Sequence, residues 1–236
     1  GLAVGQLGFA RRRRPGETKV RVYNPVFETH GWSSTHTAVE IVTDDRPFLI
    51  DSVSMELNRS GFGVHQIIHP VMHVRRAADG ELVDVLERGS DEEDAIGEAV
   101  IHAEVDRQTD PARLEELRGE VLRVIGEVRA AVDDWPLMRE RALGLAAELR
   151  DSPPPGLEPE EIEEARAFLE WLEAHNFTFL GYRDYELVTE DEELRLNAVP
   201  GSGLGILRQA GGEKSSRAFN KLPPEVRELA LEPHLL

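Results

Sequence analysis

Cysteine is missing altogether from the 236 residues, and lysine is almost missing, occurring only as Lys19, Lys214 and Lys221. The first absence excludes disulfides, thiolate nucleophiles, Fe–S clusters and cysteine-containing zinc sites. The second leaves chemistry that needs a buried, pKa-shifted lysine without a candidate, because all three fall in segments that read as terminal or loop-like. Nothing approaches the ~20 apolar residues needed to cross a bilayer, and the N-terminus shows no signal-peptide cleavage pattern. Positive charge is scarce: 27 Lys plus Arg stand against 45 Asp plus Glu, and the formal charge of −18 argues against DNA or RNA as a partner. A P-loop and a G-x-S-x-G nucleophile elbow are also lacking. The expectation is a soluble, cytoplasmic, acidic protein, 40% hydrophobic and long enough for one or two domains. Gly1 in place of an initiator Met, and an end at Leu236 soon after Pro233, read as the edges of a piece of something longer.

Residues 1–18 are glycine-rich, then basic from Arg11 to Arg14, and read as a flexible basic segment with a solvated charge patch. Lys19 to Tyr23 alternates like a short strand, and Val39, Ile41 and Val42 mark a second. Asp44-Asp45-Arg46-Pro47 favours a helix start, with the aspartates available as caps, and Leu49, Ile50, Val53 and Leu57 then share one helical face until Ser60-Gly61. Val64 to Arg76 predicts one long strand, Asp79-Gly80 a hairpin turn into Leu82 to Leu86, and Ala99 to Asp106 another strand after an acidic loop. A helix opens at Asp110-Pro111, carries an apolar stripe from Leu114 to Val132, is interrupted at Pro136 and resumes to about Arg150. Together these predict an α+β fold, an antiparallel sheet with helices on one face over residues 19–135. A helix and Pro-rich linker over 136–158 then lead into a second, truncated α+β module over 159–236. There Glu160 to His175 is an amphipathic helix with Ile162, Ala165, Phe168, Leu169 and Leu172 inward, Phe177 to Val188 and Leu194 to Val199 are strands, and loops follow Pro200.

His65, His69 and His73 share a strand face with Ile67 and Val71, but side chains four apart on a strand sit roughly 13 Å from one another, too far to ligate one metal. With Val64, Ile68, Met72 and Val74 suited to pack under the helices, the histidine face is expected to be the open side of the sheet. Gly201-Ser202-Gly203-Leu204-Gly205 lacks the spacing of a dinucleotide fingerprint and reads as a loop. The best functional candidate is Asp44, Asp45, Arg46, Pro47, Phe48 and Leu49, where a strand runs into a helix N-terminus. Its free N–H groups suit a carboxylate, the aspartates an amino group and Arg46 a second carboxylate, so an amino acid is a sensible ligand there.

The run from Thr37 through Asp44-Asp45-Arg46-Pro47-Phe48-Leu49 to Gly61 resembles the start of an ACT domain, a βαββαβ regulatory module. Val20-Arg-Val-Tyr-Asn-Pro, Glu104-Val-Asp-Arg-Gln-Thr-Asp, Phe177-Thr-Phe-Leu-Gly-Tyr and Pro200-Gly-Ser-Gly-Leu-Gly-Ile-Leu extend the likeness to the N-terminal region of the large bacterial NAD-specific glutamate dehydrogenases. The resemblance implies a parent enzyme that interconverts glutamate with 2-oxoglutarate and ammonia using NAD, with catalytic and NAD-binding domains outside this chain. It implies no catalytic residue, metal or cofactor here, partners among other domains and copies of the parent chain in a homo-oligomer, and an amino-acid effector. The rival is a purely structural oligomerisation domain. Phe48 departs from many ligand-binding ACT loops, which carry glycine after the proline. The source of the fourth ACT strand stays open between Phe177 to Val188 and elsewhere.

Overall fold

The computed structural model describes all residues except 88–93, 191–192, 209–220, 224–225 and 227–236. Lys214, most of the acidic loop after Leu86 and much of the chain beyond Pro200 lie outside the described residues. The chain divides into two units, 1–128 and 129–236.

In the first unit, β2 (Thr37–Asp44) and β6 (Ile96–Val105) form the middle of an antiparallel sheet and are buried along most of their length. Successive side chains point to opposite faces. Val39, Ile41, Ile101, Ala103 and Val105 meet Leu49, Val53 and Leu57 of α3 (Leu49–Arg59), with Leu117, Val121 and Ile125 of α4 (Pro111–Asp151), in the main core. Gly61 ends α3 at φ 83°, a conformation that suits glycine, and Phe62 N–H closes back on the Leu57 carbonyl at 3.1 Å.

The stretch expected as one strand is broken into β3 (Val64–Ile68) and β4 (Val71–Arg76), both antiparallel to β6. Pro70 has no N–H to donate to the ladder, although its carbonyl still accepts from Val100 N at 3.1 Å. β5 (Leu82–Leu86) pairs with β4, and on the opposite edge β1 (Lys19–Tyr23), joined to β2 through the short α2 (Phe27–His30), pairs with β2. The order is β1-β2-β6-β4-β5, with β3 also on β6. In a βαββαβ module the last strand lies beside the first. Here β1, which precedes the module, takes that place.

Arg11, Arg12 and Arg14 are exposed, as expected of a basic segment, but residues 1–18 are also tied to the sheet. The helix α1 (Leu2–Ala10) lays Phe9 and Ala10 against Val42, Met72 and Val100 on the sheet's second face. Arg13 is then wholly buried. Its N–H bonds the Gly80 carbonyl at 2.9 Å, and a Cβ on Gly80 would come 2.6 Å from the Arg13 carbonyl oxygen. Glycine at 80, at φ 87°, is what lets the N-terminal strap pass.

α4 continues through Pro136, where an interruption was expected. Pro136 is exposed, and its missing N–H costs the helix one bond, to the carbonyl of the half-buried Val132. In the second unit, Glu158 and Glu161 form a capping box at the start of α5 (Pro159–Trp171), and a π-helical turn follows over Leu172–Asn176. Phe168, expected inward, is exposed and stacks on Trp171. The strand expected over Phe177 to Val188 is divided into β7 (Gly181–Tyr182) and β8 (Tyr185–Glu190); β8 pairs with β9 (Glu193–Ala198) and β7 with β10 (Leu204–Gly205). Among the described residues, no helix is long and apolar enough to cross a membrane.

Candidate regulatory site

Asp44, Asp45, Arg46, Pro47, Phe48 and Leu49 form the connection from β2 into α3, but their side chains do not converge on one point. Leu49 belongs to the main core. Asp44 accepts from Arg13 Nη2 at 2.7 Å, Asp45 is exposed with its N–H on the Gly97 carbonyl at 3.0 Å, and Arg46 is half-buried. Neither aspartate caps α3: the N-cap is Phe48, without a side-chain cap hydrogen bond.

Phe48 holds φ 64°, the left-handed region where glycine is at ease, and its side chain is 55% exposed. A left-handed residue with a Cβ costs about 1–2 kcal/mol, part of which glycine would lose again through its freer unfolded chain. Phe48→Gly is therefore expected to stabilise the first unit by up to about 1 kcal/mol, read by urea unfolding. A net loss would show that the ring contributes more than its backbone costs.

The charged groups that sequence reasoning missed lie on the second sheet face. Glu98 receives Arg13 Nε and Nη2 at 3.0 and 2.8 Å, and Arg76 Nε and Nη2 at 2.5 and 2.7 Å. Burial opposes the Arg13 charge, but its hydrogen bonds to Glu98 and Asp44 outweigh this and raise its pKa. With Asp44 included, two guanidiniums face two carboxylates.

Further along the same face, Glu40 accepts from Arg21 and from Tyr23 Oη at 2.9 Å, with His102 Nδ1 3.5 Å away. Burial would raise the Glu40 carboxyl, but His102, Arg21 and Tyr23 hold it below the usual range. Burial and Glu40 push the Tyr23 phenol up to about 12. The signal was present as alternation: Glu40 within β2, and Glu98, His102 and Glu104 in register on β6, all point to one face.

His65, His69 and His73 do not share an open face. A register shift between Val64 and Gln66, and the break at Pro70, separate them. His65 donates from Nε2 to Asp106 at 2.8 Å, if that nitrogen carries the proton, and its ring lies on His36 at 4.1 Å. Val64 and Ile67 pack with the helices, whereas Met72 packs with α1, which covers the second face around Val42 and Val100 while Ile68 and Val85 stay exposed. No group of three metal-ligating side chains converges among the described residues.

The Gly201–Gly205 stretch does not fit a dinucleotide cradle. Gly205 N–H is spent on the buried Asp134 carboxylate at 2.8 Å. Cβ atoms on Gly203 and Gly205 would approach the Leu207 and Leu180 carbonyl oxygens to 2.4 and 2.2 Å. The glycines permit close backbone packing in place of phosphate contact.

Residues 1–121 match the family model described as "Glutamate dehydrogenase, ACT1 domain". The chain belongs to this family. Over 208 residues, 88% of the chain, it is 42% identical to an NAD-specific glutamate dehydrogenase of Halomonas elongata, covering 13% of that protein. Identity is also 42% over 192 residues, 81% of the chain, to an NAD-specific glutamate dehydrogenase of Pseudomonas aeruginosa, covering 12% of it. With an enzyme of the same description from Mycobacterium tuberculosis it is 26% over 206 residues, 87% of the chain and 12% of the relative. The chain thus spans about an eighth of the length of these relatives. The ACT1 match takes in α1 and the Arg13 strap as well as the sheet, so the N-terminal cover belongs to the matched region.

Proposed function

We propose that this chain is a regulatory and assembly region, itself non-catalytic, of a longer NAD-specific glutamate dehydrogenase. In that parent, L-glutamate is oxidatively deaminated to 2-oxoglutarate and ammonia with NAD, and this region adjusts the reaction to an amino acid. The observation that carries the reading is the ACT1 match over residues 1–121, supported by the enzyme names of the relatives. Regulation requires the effector to bind two states of the parent unequally. The test compares the parent enzyme with and without residues 1–128, following NADH formation from glutamate, and titrates the isolated chain calorimetrically with amino acids. Deletion is expected to leave turnover and abolish its response to amino acids, and the isolated chain to bind an amino acid without turning over glutamate. Glutamate oxidation by the isolated chain, or an undiminished amino-acid response after deletion, would overturn the reading.

A second reading, assembly without any ligand, is favoured by Phe48. Phe48, 55% exposed at the N-cap, and Met55, 72% exposed within α3, leave large apolar side chains open to water. If Phe48 joins copies, Phe48→Gly lowers the association seen by sedimentation while leaving the fold intact.

A further inference from the structure

His102 is buried on the second sheet face, and neither of its ring nitrogens has a hydrogen-bond partner. Carboxylates flank it on both sides: Nδ1 lies 3.5 Å from Glu40 of β2, and Nε2 lies 3.7 Å from Glu104 of its own strand β6. Both carboxylates are anchored from elsewhere. Glu40 accepts from Arg21 and Tyr23 of β1, and Arg21 also donates to the Gly5 carbonyl of α1 at 3.1 Å. Glu104 accepts from Ser34 Oγ at 3.0 Å and faces His36 Nδ1 at 3.1 Å, both in the 31–36 loop between α2 and β2. Burial would raise the Glu104 carboxyl, but Ser34, His36 and His102 hold it below its usual range. Trp32 of the same loop is half-buried and stands edge-on to the His102 ring at 5.6 Å and to the Tyr23 ring at 6.3 Å. Around this centre, His30 of α2 lies against Tyr23, His65 of β3 against His36 and Asp106, and Arg107 Nη1 on the Ser34 carbonyl at 3.2 Å. Opposite His102, β3 presents the uncharged Ile68, and Gly1 lies beside Trp32.

We propose that His102 is a proton switch that fastens the 31–36 loop and β1 to the sheet. A neutral imidazole carries one N–H. Whichever nitrogen holds it, the other turns a lone pair towards a carboxylate and offers it no donor. The imidazolium donates on both sides and sets one positive charge between two negative ones. A buried carboxylate that faces a lone pair is poorly solvated, so loss of the proton favours opening the centre to water. Glu40 and Glu104 sit on the two central strands, whereas Trp32 belongs to a loop, so the loop is the part that lifts. Tyr23 follows through its contacts with Trp32 and Glu40, and with it β1, the strand that stands in for the last ACT strand. Acid closes the loop and alkali releases it, over the range of about pH 5 to 8 in which an unperturbed histidine changes charge.

The switch needs no ligand but the proton and stands whether or not the chain senses an amino acid. It is tested in the chain carrying Trp135→Phe and Trp171→Phe, where Trp32 is the remaining tryptophan. Its emission and its quenching by acrylamide are followed from about pH 5 to about pH 9. An imidazolium beside an indole quenches it, so emission is expected to rise about twofold with pH in one transition, and acrylamide access to rise about twofold with it. His102→Gln is expected to abolish both changes. Glu104→Gln removes one of the two facing charges and is expected to move the midpoint about one pH unit or more towards acid. A flat profile with His102 present, a transition that survives in His102→Gln, or an emission change without a change in acrylamide access would overturn the switch. Should His102→Gln fail to fold by circular dichroism, Glu104→Gln decides, and a midpoint that stays in place would overturn it equally.

Discussion

Glu98→Ala is expected to destabilise the first unit by about 3–5 kcal/mol, because it leaves guanidiniums in the protein interior without their shared counter-charge. The Arg13 and Arg76 side chains are 0% and 3% exposed, and Glu98 is 1% exposed. Asp44 then remains as the carboxylate of the cluster, accepting from Arg13. Arg13→Met removes one cation and leaves Glu98 with Arg76, so its expected cost is smaller, about 2 kcal/mol. Trp32 lies in the first unit, with its ring 5.6 Å from that of His102, whereas Trp135 and Trp171 lie in the second. In a Trp135→Phe, Trp171→Phe background, urea unfolding followed by tryptophan emission reports the first unit separately. A loss below about 1 kcal/mol for Glu98→Ala would mean that water reaches the cluster.

A triple replacement tests what the cluster is for. Replacing Arg13, Arg76 and Glu98 together by Met, Met and Leu removes the three most deeply buried charges of the cluster and their desolvation cost and leaves Asp44, 26% exposed, to water; buried ionic groups exchanged in this way are often neutral or stabilising. The strap has other ties: Arg13 N–H to Gly80, Arg13 Nη1 to the Glu17 carbonyl at 2.8 Å and Arg76 Nη2 to the Ala10 carbonyl at 2.8 Å. The last two are side-chain bonds that the triple replacement also removes. It therefore preserves stability while loosening the register of α1 and the strap on the sheet. Stability and positioning are separate consequences of one cluster, the first read by unfolding and the second by amide exchange in residues 1–17.

How far the sequence led follows from where tertiary partners entered. β2, α3, β5 and the first half of α4 were legible because local periodicity and end signals agreed, as with Leu49, Val53 and Leu57 ahead of Gly61. The family was legible as well, since the Asp44–Leu49 pattern and the longer motifs carried it. The last ACT strand was not, because a strand donated from before the module leaves no mark in the module's own order. Arg13 was misjudged for the same reason: a run of arginines reads as solvated, and only Glu98 on a distant strand makes one of them a core residue. The histidine face failed at two places, since the register shift between Val64 and Gln66 and the break at Pro70 disturb the two-residue period on which it depended. At the loop, Phe48 was recognised as out of place, but its left-handed backbone is a tertiary fact.

In the second unit, the largest expected effect belongs to Asp134→Ala. Asp134 is buried and accepts from Gly205 N–H at 2.8 Å, from Arg208 Nε at 2.8 Å and from Arg208 Nη2. Alanine leaves a buried N–H without its acceptor and frees the arginine, a loss of roughly 2–3 kcal/mol. Relaxation of the loop cannot recover it cheaply, because Gly203 and Gly205 already sit against backbone where no Cβ fits. The pH dependence has a definite sign. Burial would raise the Asp134 carboxyl, but the bonds from Arg208 and Gly205 N–H lower it below its ordinary value of 3.8. A carboxyl depressed in the folded state stabilises fully above its unfolded pKa and loses that contribution as pH falls through the folded one. Trp135, next in sequence and with its ring 5.5 Å from the tilted ring of His175, reports this unit in a Trp32→Phe, Trp171→Phe background. The difference in stability between the parent sequence and Asp134→Ala is expected to be constant above about pH 5 and to shrink below pH 4. Asp134→Asn keeps one acceptor oxygen but no charge, so it should fall between the two at neutral pH and lack the acid-dependent loss. A difference that persists unchanged into acid would show that the carboxylate acts by shape and hydrogen bonding alone, with its charge adding nothing.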